Sequence, residues 1–330
     1  MLELILKVRS EVLEGRPIRY EDALALTQIP LNLVPYLAAV GNEVREKFAG
    51  NEIETCALSN IKSGNCSEDC KFCAQSGHYK TDSPAYPQIS VEEIVEQAKA
   101  AEKTGATEFC MVSSGWGATN DKEFGTVLEA VRRIKAETKM FVDASLGFLT
   151  GEQMAQLKEA GLYRNNHNLE ASQGYFEKIC TTHTHEQRVN HVEMARHYGI
   201  HPCSGGILGM GESPKDRIDL AFELKKLKAE CVPINILNPR PGTPLYDAVG
   251  AGLQPLSPME IIKYIALYRL ILPTSTIKIA GGREVNLRDL QAMALQAGAN
   301  GLILGNYLTT MGRNPAQDIQ MMKDLGFEVR

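Results

Sequence analysis

Eight short apolar runs recur along this chain, each followed by an amphipathic stretch of helical period. The runs are 53–59, 108–113, 140–145, 163–169, 201–208, 232–237, 276–280 and 301–304. Ser90 with Glu93, Thr150 with Gln153, and Ser257 with Glu260 open three of the intervening helices as capping boxes. In a capping box the two side chains satisfy first-turn amides that have no partner inside the helix. Gly105, Gly161, Gly199 and Gly298 end helices where a left-handed residue is required. Strands joined through helices pair in parallel, and eight of them close most simply into a (β/α)8 TIM-type barrel. An open doubly wound sheet is the alternative. Residues 1–50 read as helical, with apolar residues near helical spacing in 20–27 and 31–40. They form an N-terminal helical extension to one barrel domain over 51–330.

The residues that point most directly to chemistry are ten, Gly64 to Cys73. Cys66, Cys70 and Cys73 stand at C-x3-C-x2-C spacing, which lets three thiolates converge on one small object. Thiolate selects zinc, cuprous copper or iron–sulfur clusters. A closed zinc site needs four protein ligands, and only His78 lies nearby as a further donor. Three thiolates on a 4Fe–4S cluster leave one iron open to a ligand. A half-built zinc knuckle and an electron-transfer cluster are the rival readings, although transfer proteins use four cysteines per cluster. Because the loop follows the first strand, it falls at the C-terminal face, where barrel active sites are built.

Composition sets the outer bounds. The net charge is −5 with both signs interspersed, and no basic run is long enough to track phosphates, so nucleic acid is not an expected partner. No leader pattern opens the chain and no apolar run approaches a bilayer span. The expectation is a cytoplasmic protein with no membrane partner. Three of the eight cysteines cluster at metal-ligand spacing, which favours a reducing compartment over disulfides.

With Phe72 just before its third cysteine, the loop resembles the cluster loop of the radical S-adenosylmethionine (SAM) superfamily. Gly205, Ile207, Gly209 and Glu212 match that superfamily's G-x-I-x-G-x-x-E motif beside SAM. Further segments narrow the resemblance: Asn166-His167-Asn168-Leu169-Glu170, Cys203-Ser204-Gly205-Gly206-Ile207, Val232-Pro233-Ile234-Asn235, Ala280–Glu284 and Leu308-Thr309-Thr310. Together, over about 61–314, they are similar to the biotin synthase family. The resemblance implies a sulfurtransferase that closes the thiophane ring of biotin between C6 and C9 of dethiobiotin. A 5′-deoxyadenosyl radical from SAM would abstract hydrogen, and an auxiliary iron–sulfur cluster would give the sulfur. It further implies a homodimer served by an electron donor such as flavodoxin or ferredoxin.

Carried over residue by residue, the resemblance gives Cys66, Cys70 and Cys73 to the 4Fe–4S cluster. Phe72, Gly205, Ile207 and Glu212 would flank SAM, Asn168 and Glu170 would hold its ribose, and Arg188 its carboxylate. Asn166 and Asn235 would bond the dethiobiotin ureido ring, and Thr309 and Thr310 its carboxylate. Alternation places Asn166, Asn168 and Glu170 on one strand face, where buried polar groups are costly without partners.

The pattern departs from the better-known members at the auxiliary cluster. Cys110 and Cys203 match two of its three cysteines, but Asp143 stands at the third position and Lys278 at that of an arginine. We expect an auxiliary cluster of a different nuclearity, held by Cys110, Cys203 and Cys56, with Cys180 as a further candidate; Cys231 is another cysteine of suitable parity. Two rival functions stay open: another enzyme of the superfamily, of the hydrogenase-maturase or methylornithine-synthase type, and a non-catalytic iron–sulfur scaffold.

Overall fold

The computed structural model describes residues 1–118 and 120–329. Nine strands form its barrel wall: β1 (Glu52–Lys62), β2 (Glu108–Ser113), β3 (Phe141–Ser145), β4 (Arg164–Asn166), β5 (His201–Cys203), β6 (Gly206–Leu208), β7 (Cys231–Ile236), β8 (Thr276–Ile279) and β9 (Gly301–Leu304). All pair in parallel. β1 lies beside β2 and also β9, which closes the ring. β5 and β6 are two pieces of one predicted strand, and both pair with β7. The break comes at Gly205, where a Cβ would stand 1.9 Å from the Pro233 carbonyl oxygen. Proline also has no amide hydrogen to give a ladder. The result is a closed (β/α)8 barrel rather than an open sheet.

The capping boxes at Ser90, Thr150 and Ser257 are formed, with others at Thr184 and Ser213. Gly105, Gly161, Gly199 and Gly298 all have positive φ. The stretch 163–169 pairs over only three residues, because its polar tail turns away to build the site. A tenth strand, β10 (Glu328–Val329), pairs with the start of β1.

The N-terminal helices share the barrel's core. Ile5, Val8, Leu26, Leu37 and Val44 belong to the same buried cluster as strand residues such as Ile53 and Phe109. Helix Val34–Ala49 packs on helix Pro258–Ile271, whose residues 261–271 are all buried. Buried Lys263 donates to the Thr27 carbonyl at 2.7 Å, and Tyr20 donates to Asp219 at 2.6 Å. Among the described residues no single helix is long and apolar enough to cross a membrane, although the bent pair Tyr20–Leu26 and Leu31–Ala49 together has the length and composition.

Candidate active site

Successive inward residues on a strand are two apart, so the barrel interior can be read in layers from its N-terminal end. Lowest lies an ionic layer. Arg164 Nη1 donates to Glu54 at 2.7 Å and also to Glu108, whose other oxygen takes Lys278 Nζ. All four side chains are at most one-tenth exposed.

One step up come Cys56, Cys110, Cys203 and Cys231. Cys203 and Cys231 are register partners on β5 and β7, and Cys110 is the partner of Asp143 on β3. The ligand atoms of Cys56, Glu108 and Asp143 lie within 4.8 Å of one another. Burial pushes the Cys56 and Cys110 thiols well up. Burial, then the nearby Glu108, pushes the Asp143 carboxyl well up too. Both Asp143 carboxylate oxygens are buried without a hydrogen-bond partner. Buried thiols on neighbouring strands beside a carboxyl group without partners are costly in a core and suit a soft metal cluster.

The structure therefore sets Cys203 beside Cys231, and Cys56 and Cys110 beside Asp143. It does not bring Cys180 to them. The Cys180 Sγ lies 3.8 Å from Cys70 Sγ and 3.4 Å from His183 Nδ1, beside the three-cysteine loop. Helix Gln173–Phe176 follows β4, and Cys180 N donates to the Phe176 carbonyl at its end at 3.1 Å, a displacement that strand parity does not reveal.

Above the thiols lie the amides. Asn166 Nδ2 donates to Cys110 Sγ at 3.0 Å while its Oδ1 stays buried and unpartnered. Asn235 Oδ1 accepts the Gly281 amide at 2.9 Å, and its Nδ2 stands 3.4 Å from the Gly206 carbonyl. Asn168 Oδ1 accepts the Gly205 amide at 3.1 Å. Glu170 adopts φ +67°, which turns the chain, and its buried Oε2 is unpartnered. Burial raises its pKa.

The three-cysteine loop covers this interior. Its two ends are clasped by Cys66 N donating to Gln75 O at 3.0 Å and Gly77 N donating to Cys66 O at 2.7 Å. Gly64, at φ +75°, has Ala85 so close that a Cβ would meet it at 2.6 Å. The contact with Cys180, then burial, pushes the Cys70 thiol up; burial takes Cys73 to about 11. Both thiols stay protonated until a metal displaces the proton.

Asp69 and Glu68, inside this loop, fasten it to the segment after β4. Although burial opposes it, Asp69 is held below the usual carboxylate range by Thr181 and Thr182; their amides donate to it at 2.8 and 3.2 Å. Arg188 Nε donates to His183 Nε2 at 2.9 Å, so Nδ1 carries the imidazole proton and donates to Glu68 at 2.7 Å. Arg188 Nη1 donates to the Asn168 carbonyl at 2.7 Å.

A cavity of about 330 Å³ lies between loop and interior. Cys66, Cys70, Cys73 and Phe72 line it from above; Asn166, Asn168, Glu170 and Asn235 line it from below and the side. Arg188 is the only lysine or arginine among its described lining residues. An adjoining cavity of about 230 Å³ shares Phe72, Cys73 and Asn235, and adds Ile207, Thr309 and Thr310. Gly205 and Glu212 line neither of these cavities. Gly205 is pressed on Pro233, and Glu212 turns inward, accepting from Gly209 N at 2.7 Å and Arg217 Nε at 2.6 Å. Both shape the Gly205–Glu212 turn rather than lining either cavity.

Residues 60–224 match the family model of the Radical SAM superfamily, and residues 233–328 that of the Biotin and Thiamin Synthesis associated domain. The chain is 45% identical over 327 residues to a biotin synthase of Pelotomaculum thermopropionicum, covering 99% of each chain. It is 43% identical over 331 residues to one of Carboxydothermus hydrogenoformans, covering 100% of both. Among solved structures, methylornithine synthase superposes with a TM-score of 0.83 at 19% identity, covering 98% of this chain and 97% of that one. The FeFe-hydrogenase maturase of Carboxydothermus hydrogenoformans gives 0.81 at 20%, covering 98% and 79%. At such identities these two likenesses concern the fold alone.

Proposed function

The chain belongs to the biotin synthase family, and from that premise we propose how its residues divide the work. The reaction is radical SAM insertion of sulfur between C6 and C9 of dethiobiotin to form biotin. A 4Fe–4S cluster, SAM and an auxiliary iron–sulfur cluster, once bound and reduced, supply the electron, the abstracting radical and the sulfur. The protein's contribution is to hold these groups in line and keep competing reactants away.

Cys66, Cys70 and Cys73 would hold the 4Fe–4S cluster, the upper of the two, at the larger cavity that they line. Arg188 takes the SAM carboxylate through a guanidinium fork, while Asn168 and Glu170 take the ribose, with Phe72 and Ile207 as apolar walls. Asn166 and Asn235 hold the ureido ring of dethiobiotin, whose donors and acceptors suit amides. Thr309 and Thr310 receive the far end of its chain. Because Asn166 touches Cys110, the same amide would stand between substrate and sulfur source.

The observation that carries this reading is the shared cavity, which has three thiols on one side and half-buried amides on the other, among them Asn166 with a buried, unpartnered Oδ1. In this reading a flavodoxin or ferredoxin delivers the electron to a cytoplasmic homodimer.

For the auxiliary cluster we assign Cys56, Cys110, Cys203 and Cys231, with Asp143 and Lys278 facing it. Anaerobically reconstituted Cys56→Ala and Cys231→Ala should each lose auxiliary iron and sulfide relative to wild type, while Cys180→Ala keeps both. Unchanged content in the first two variants would remove them from the ligand set; loss in the third would restore Cys180 to it.

A further inference from the structure

The smaller cavity contains a cation that this division of work leaves unused. Arg240 is the only lysine or arginine among its described lining residues, and no carboxylate lines it. Its Nε is buried without a hydrogen-bond partner. The one ion pair it makes, Nη2 to Asp82, is long at 3.3 Å, and Asp82 is 66% exposed. A buried guanidinium nitrogen without an acceptor is costly, and a well-hydrated carboxylate at that distance offsets little of the cost.

The turn that carries Arg240 is firmly held. Thr243 Oγ1 donates to the Arg240 carbonyl at 2.7 Å. At Gly242, with φ +86°, a Cβ would stand 2.0 Å from the Lys80 carbonyl oxygen. The backbone that carries the guanidinium is thus held at the wall of a cavity whose other polar groups include Asn235, Thr309 and Thr310, and which Leu58 and Ile303 also line. Asn235 lines both cavities, whereas Arg240 lines only the smaller. A ligand with a urea-like head, an aliphatic chain and an anionic tail matches that order of surfaces.

We propose that Arg240 binds the substrate's carboxylate and so makes the enzyme prefer the free acid to a neutral ester. The inference rests on dethiobiotin being the substrate. Asp82 then occupies part of the guanidinium in the empty site and yields it to the substrate. The threonine hydroxyls complete the carboxylate's hydrogen bonds.

Initial rates of the reconstituted holoenzyme, with dethiobiotin and with its methyl ester, test this in wild type, Arg240→Gln, Arg240→Lys and Asp82→Asn. The acid-to-ester ratio of kcat/KM should fall about 10- to 100-fold in Arg240→Gln, the size of one charge-assisted hydrogen bond. Arg240→Lys should recover part of it, and Asp82→Asn, which removes the competing carboxylate, should keep or raise the wild-type ratio. An unchanged ratio in Arg240→Gln, or an equal fall in Asp82→Asn, would overturn the proposal; the latter would assign Arg240 to loop anchoring. Wild type converting neither compound would instead overturn the substrate reading beneath it.

Discussion

Cys70→Ala should reduce formation of 5′-deoxyadenosine from SAM to the level of a protein-free control. With two thiolates left, the upper cluster would have two irons without protein ligands, and the geometry that presents a single open iron would be gone. Cys70 is the most enclosed of the three thiols at 8% exposure, and the Lys71 amide beside it donates to the Ile179 carbonyl at 2.9 Å. The loop therefore cannot slide to bring another residue into its place. One substitute donor is at hand, since Cys180 Sγ lies 3.8 Å from Cys70 Sγ. Any iron retained in the upper site by Cys70→Ala should disappear in Cys70→Ala/Cys180→Ala, leaving only the auxiliary iron. Wild-type amounts of 5′-deoxyadenosine from both variants, measured by anaerobic chromatography with dithionite as reductant, would contradict the ligand assignment.

Arg164→Met should have the largest effect on stability. Arg164 is 3% exposed and stands between Glu54 and Glu108. Removing it leaves Lys278 to serve Glu108 and takes the guanidinium from Glu54, which still accepts from the Thr276 hydroxyl at 3.0 Å. Unpairing a buried charge costs about 3–5 kcal/mol.

The pH dependence follows from Glu54. Burial would raise its pKa, but Arg164 prevails and holds it at about 2, below the ordinary 4.5. A carboxylate depressed on folding stabilises the native state above its unfolded pKa, and that contribution is lost as pH falls from about 4.5 towards 2. Thermal unfolding of Arg164→Met should therefore begin well below wild type at pH 7, with the gap narrowing across that acid window. Equal midpoints at pH 7 would show that the floor of the barrel tolerates loss of the guanidinium.

Much of this architecture is legible in the chain. The capping boxes at Ser90, Thr150 and Ser257 act through contacts three residues apart, so local spacing suffices to find them. The cysteine loop is legible because all three thiols lie within one turn of chain. What is not legible depends on contacts between distant strands. Cys203 meets Cys231 only through the β5–β7 register, and the ionic floor joins residues up to 222 positions apart through Glu54 and Thr276.

Cys180 misleads for the same reason. A short helix intervenes after β4, so the thiol lies beside Cys70 rather than on a strand's inner face. His183 carries no local signal of its role either. It stands one turn of chain before Arg188, yet its partner Glu68 is 115 residues away, in the cysteine loop.

The most direct measurement reconstitutes the enzyme anaerobically with isotopically heavy sulfide and supplies SAM, a low-potential reductant and dethiobiotin, followed by mass spectrometry of the product. Biotin carrying the heavy sulfur, formed together with 5′-deoxyadenosine, is the expected result. Formation of 5′-deoxyadenosine with no biotin would contradict it.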